Sequence, residues 1–250
     1  NFKLYQNSSN NLTGATLIGT VTATGTGTTM SISGTGNSIG IAATGYLLLV
    51  SDVPSTAING NTVSITTTVL SNFSFTSTGT VSKAGPANPL PASNTQTIKG
   101  PLATITQTHP AAGLINQNST NNIIASFSVV PSNAAITPTG LTFTTAGTYA
   151  ATTDITNFKL YQNSSNNLTG ATLIGTVTAT GTGTTMSISG TGTSINAAST
   201  GYLLLVSDVP STAINGNTVS ITTTTLSNFS FTSTGTVTKA GPANPAPASN

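Results

Sequence analysis

The stretch NFKLYQNSSNNLTGATLIGT occupies residues 1–20 and recurs without a change at residues 157–176. The offset of 156 then holds to the last residue, so residues 1–94 match residues 157–250. The two copies differ at seven places: Asn37/Thr193, Gly40/Asn196, Ile41/Ala197, Ala43/Ser199, Val69/Thr225, Ser82/Thr238 and Leu90/Ala246. A long self-similar period governs the architecture and is read before any single element.

Inside the quoted stretch, NFKLY sets Phe158 and Leu160 on one side of a strand and Lys159 on the other. The same period of two runs outward from it. In IIASFSVV, Ile123, Ala125, Phe127 and Val129 share a face; GLTFTT alternates Leu141 and Phe143 with threonines; TVSIT turns Val219 and Ile221 inward; NFSFTS does the same with Phe229 and Phe231. Alternation with hydroxyl residues outward is the pattern of half-buried antiparallel strands. YLLLVSD, 202–208, is apolar on both faces and reads as a central strand. AINGNTV carries Asn-Gly at 59–60 and again at 215–216, a strong hairpin signal because both turn positions favour positive φ. Short strands, polar loops such as NSSNNLTG and no amphipathic helix predict an all-β, two-sheet Greek-key sandwich. A β-solenoid would need a short coil period, and none runs inside the long repeat.

Two proline-rich segments punctuate the chain, AGPANPLPASN at 84–94 and AGPANPAPASN at 240–250. Prolines at that density cannot continue a central strand and favour extended spacers. The expected organisation is therefore 1–83 as the C-terminal part of one β-sandwich repeat, 84–94 as linker, 95–239 as a complete repeat, and 240–250 as linker to the next. The first copy has no counterpart of 95–156 within the chain, a segment holding about three expected strands. A sandwich without them exposes apolar faces and backbone donors. We expect a segment like 95–156 to precede Asn1, or a neighbouring chain to supply equivalent strands.

Composition narrows the function. Only Lys3, Lys83, Lys99, Lys159, Lys239, Asp52, Asp154 and Asp208 carry a formal charge, and charged residues are 3% of the chain where about a quarter is usual. Threonine, present 54 times, supplies β-branched polar surface instead. Five scattered lysines make no basic patch, which excludes nucleic acid as a partner. No apolar run is long enough for a membrane-spanning helix. With no Glu and no Cys, one His and three Asp, carboxylate-pair and thiol catalysis lack their groups. A Ser-His-Asp arrangement through His109 and Asp154 is formally available, against the plainer reading of His109 as a loop residue before Pro110. Asp154 or Asp208 could take part in a calcium site, against ordinary use of a turn Asp to bind nearby backbone amides. Lys159, with an Asn and Asp208, could form a Lys–Asn isopeptide crosslink, but alternation places Lys159 on the outer face. Tyr5, Tyr46, Tyr161 and Tyr202 are candidate sugar contacts and read better as packing residues with satisfied hydroxyls. Sequons stand at Asn7, Asn11, Asn72, Asn118, Asn163, Asn167 and Asn228.

The run LTFTTAGTYAATTDITNFKLY, followed by LIGT and TGYLLLVSD, resembles the Thr-rich immunoglobulin-like tandem modules of very large secreted bacterial surface proteins. The resemblance implies a stalk, fibre or adhesin and names no ligand. The expectation is a non-enzymatic, cofactor-free structural protein, extracellular and at the cell surface. It would assemble with its own kind through contacts between neighbouring repeats, strand complementation among them. The alternative is an adhesin whose repeat loops recognise glycans or another cell surface. The segment 37–43, against 193–199, holds four of the seven differences and discriminates the two.

Overall fold

The computed structural model describes residues 1–66, 68–85, 87–222 and 224–241. Pro86 of the first proline-rich segment and residues 242–250 of the second lie outside the described residues. The described chain is nearly all β, with two short 3₁₀ turns at Leu70–Asn72 and Leu226–Asn228. It divides into two compact units, Asn1–Pro54 and Ser55–Asn250.

The first unit is one antiparallel sheet. Its strands are β1 (Phe2–Asn7), β2 (Thr16–Val21) and β3 (Tyr46–Ser51), in the order β2-β1-β3. β1 and β2 are joined through NSSNNLTG, where the Asn7 amide donates to the carbonyls of Asn11 (2.7 Å) and Thr13 (3.0 Å). Side-chain amides bonding to their own loop are the reason Asn favours such connections.

The second unit begins with a small pair, β4 (Thr62–Val63) against β5 (Gln96–Thr97). There follow β6 (Leu102–Gln107), β7 (Ser119–Ser132), β8 (Thr137–Gly147), β9 (Asn157–Asn163), β10 (Thr172–Thr178), β11 (Thr185–Ser189), β12 (Gly201–Val209), β13 (Val219–Ile221), β14 (Phe229–Thr232) and β15 (Thr238–Ala240). One sheet has the order β10-β9-β12-β7-β6-β15, antiparallel except for the last pair. The other is built on β8, with β11 on one edge and β14 and β13 along it. The sheets face each other across a shared apolar core, consistent with a β-sandwich. Phe127 of β7 meets Phe229 of β14 edge-on at 4.9 Å, and Phe158 of β9 meets Phe143 of β8 at 5.3 Å. T-shaped aromatic pairs of this kind add stability beyond their buried area.

Most alternating faces match the sequence reading. Phe158, Leu160, Leu141, Phe143, Ile221 and Phe229 are buried, and β12 is central with Leu203 to Val206 wholly buried. Two expectations are corrected. A register shift in β7 puts Ile124, not Ile123, into the core beside Ala125 and Phe127. An extra residue in one strand flips the faces beyond it. AINGNTV is not a hairpin turn: β12 pairs with β9 and β7, whereas the β13 that follows pairs with β8 in the opposite sheet. The turn is closed by Asn217 N–H donating to Ile214 O, and only Gly216 has positive φ. That is the pattern of a type II turn, used here to cross between sheets.

Candidate functional site

Four of the seven positions that differ between copies lie on the loop preceding β3 and β12. In the second copy this loop is tied down by the end of β7, the start of β8 and the turn between them. Ile195 and Ile136 exchange both backbone hydrogen bonds (2.7 and 3.0 Å), Ala198 N–H donates to Pro131 O (2.8 Å), and Gly192 N–H donates to Pro138 O (2.9 Å). From below, Gln162 grips the loop: its amide donates to Thr193 O (2.9 Å) and its Oε1 accepts from Thr193 N–H (2.7 Å). A Cβ at Gly192 would stand 2.2 Å from Gln162 Oε1, so a side chain there would displace this grip.

The first copy keeps the grip from below: Gln6 Nε2 donates to Asn37 O (2.8 Å), and the Asn37 amide donates to Thr16 Oγ1 (2.8 Å). Its loop borders a shallow cleft of ≈ 290 Å³, lined by Gln6, Asn7 and Thr16 with Asn37, Gly40 and Ala43. Three of the four variable positions therefore share one rim, and Ile41 points fully into solvent. In the second copy Thr193, Asn196, Ala197 and Ser199 are exposed. The cleft's lining is polar and apolar in equal share, and its volume is at the lower end of the size of small-molecule pockets. Pro131, Ile136 and Pro138, which hold the second-copy loop, have no counterpart in the first copy, and the first-copy cleft is open.

His109 and Asp154 have separate partners. His109 packs edge-on against Phe127 at 4.9 Å, with Nδ1 hydrogen-bonded to the backbone of Ser126. Ser126 Oγ donates to Thr108 O. Asp154 is buried in the turn before β9 and accepts from Ala150 N–H (2.7 Å), Ile214 N–H (2.6 Å) and Asn217 Nδ2 (2.7 Å). The Ala150 N–H does most to hold its carboxyl below the usual range; burial opposes this, and Ile214 and Asn217 reinforce it. All its hydrogen bonds go to amides, the ordinary use of a turn Asp, and His109 is not among its partners. Among the described residues no group of three or more His, Cys, Asp or Glu stands together as a metal site would require.

Lys159 Nζ lies 2.6 Å from Asp208 Oδ2 and donates to Asn121 Oδ1 at 3.2 Å. The isopeptide candidates are thus neighbours. Their geometry is that of an ammonium between two acceptors, with Asn121 exposed, whereas attack on an amide carbon needs a neutral amine. Burial tends to raise the Asp208 carboxyl, but Lys159, Asn121 N–H and Asn157 together lower it. Lys3 and Asp52 repeat the pair in the first copy at 2.8 Å, on the surface. The sequon amides of Asn7 and Asn163 are occupied within their own loops, and that of Asn228 donates to Thr142 O. Of the four strand tyrosines, Tyr46 is exposed and Tyr5, Tyr161 and Tyr202 are half-buried. Sequence reasoning did not single out Gln6 and Gln162; a Gln on the inward face of an otherwise apolar strand was the available signal. No helix among the described residues is long and apolar enough to cross a membrane. Comparison with protein-family models, curated proteins and solved structures finds no match to this chain.

Proposed function

We propose that this chain is a structural, non-enzymatic part of an extracellular array at the cell surface. In this reading it is built from immunoglobulin-like Greek-key β-sandwich repeats joined by proline-rich linkers, and its principal partner is another repeat of its own kind. The observation that carries the reading is the duplication. Ninety-four residues recur with seven changes, and among the described residues no three His, Cys, Asp or Glu side chains stand together. A part whose task is length gains reach with each added unit, and such units contact chiefly their neighbours. Low charge supports the same reading, because edges protected by few charges are ready to pair. Electron microscopy of negatively stained native material tests it. Beaded threads of uniform spacing are the expected image, and dispersed particles at every concentration would defeat the proposal.

The first-copy cleft favours a second reading, an adhesin that holds a glycan against Asn37, Gln6 and Thr16. Exchanging the variable positions by N37T, G40N, I41A and A43S would then abolish glycan capture by the full chain. Capture on a glycan array that survives the exchange would remove this reading.

A further inference from the structure

We infer that the open edge of β3 is a docking site for a strand of the β7 sequence, added antiparallel in the register that β7 keeps with β12. The inference rests on the repeat-array reading for the identity of its partner and gives that array a contact surface. Residues 45–53 and 201–209 are identical, GYLLLVSDV in each copy. On one side they also have identical neighbours. β12 sets Leu203 and Leu205 opposite Gln162 and Leu160, and β3 sets Leu47 and Leu49 opposite Gln6 and Leu4.

On the other side the copies part. β12 continues into β7, whereas β3 is the last strand of its sheet. Leu203 and Leu205 are 0% exposed and Val209 is 8%; their first-copy equivalents Leu47, Leu49 and Val53 are 37%, 44% and 56% exposed. In the second copy the main-chain edge of this sequence is covered by β7, while Leu203 and Leu205 belong to the core shared with the β8 sheet. Carried over by the repeat offset, the observed register sets Phe127 opposite Leu47, Ala125 opposite Leu49, Ile123 opposite Val50 and Ser119 opposite Val53.

The acceptor is already formed. β3 pairs with β1 without a register shift, and in the loop before it Ala42 keeps the positive φ of its twin, 61° against 64° at Ala198. An edge in its bound conformation loses little entropy on taking up a strand. Its main-chain groups supply affinity, and its alternate apolar side chains supply register. The usual guards are missing, since YLLLVS contains no proline and no lysine. Among the described residues of 1–250, β12 holds the one β7 strand and β3 pairs with β1 alone. The occupant is therefore the β7-type strand of a further repeat of this kind.

The test uses the full 250-residue chain and a synthetic peptide of residues 119–132, STNNIIASFSVVPS. We expect saturable binding of one peptide per chain. Amide exchange should slow by about tenfold or more in fragment 43–50 while fragment 199–206 is unchanged, as protection follows local opening. Ala43 and Ser199 give these otherwise identical fragments different masses. A peptide with Ala125→Asp and Phe127→Asp, and one N-methylated at alternate residues, should each bind at least about tenfold more weakly. Absence of saturable binding up to about 1 mM, binding without slowing at 43–50, or equal binding by the Asp peptide would overturn the inference. Lost binding with beaded threads still present removes the docking edge and leaves the array. Binding without threads removes the array and leaves the edge.

Discussion

Asp154 illustrates how this chain handles its few charges. The carboxylate is buried, and its charge is answered by the N–H groups of Ala150 and Ile214 and the amide of Asn217. Its pKa is lowered in the folded state, as is that of Asp208. A carboxyl with a depressed folded pKa contributes stability that is complete above its unfolded value, about 4, and is lost as pH falls through the folded value. Elsewhere the scarcity of ionisable groups keeps the proton-binding difference between states small. Thermal melting should therefore be nearly constant from about pH 5 to 9 and decline below about pH 4. Melting curves across that range check this, and a steep slope near neutrality would contradict it. Asp154→Ala, which leaves three donors unmatched, should cost about 2–3 kcal/mol at pH 7 and flatten the acid decline, as measured by denaturant unfolding at two pH values.

At the scale of elements, the strand faces were legible because alternation needs only residue order. Phe158 and Leu160 are inside and Lys159 outside, as NFKLY implies. The exceptions come from geometry that order does not record. The shift in β7 exchanges Ile123 for Ile124, and AINGNTV crosses between sheets where its Asn-Gly suggested a hairpin. The variable loop was legible as the place where four of the seven differences fall, but not the grip of Gln162 on Thr193 or the ties to Pro131, Ile136 and Pro138, which are long-range contacts. β12 and β3 also make a controlled comparison. Leu205→Ala should cost about 2–5 kcal/mol, the usual range for a buried leucine, and Leu49→Ala less than about 1 kcal/mol. Chemical denaturation of the two variants decides between this asymmetry and equal costs.

At the scale of the whole molecule, the duplication was plain in the sequence, and within residues 1–250 it sets one strand sequence in two different environments. The second copy buries its sheet against β7 and the strands on β8. The first presents the same apolar strand with an open edge. A chain with little charge has few means of guarding such an edge, and that connects the composition to the proposed array.

Amide exchange of the full chain alone, followed in fragments 43–50 and 199–206, tests this inequality most directly. The account predicts that the first-copy fragment exchanges on the timescale of local fraying while the second is protected to near the global stability. Equal protection of the two fragments in the monomeric chain would contradict it.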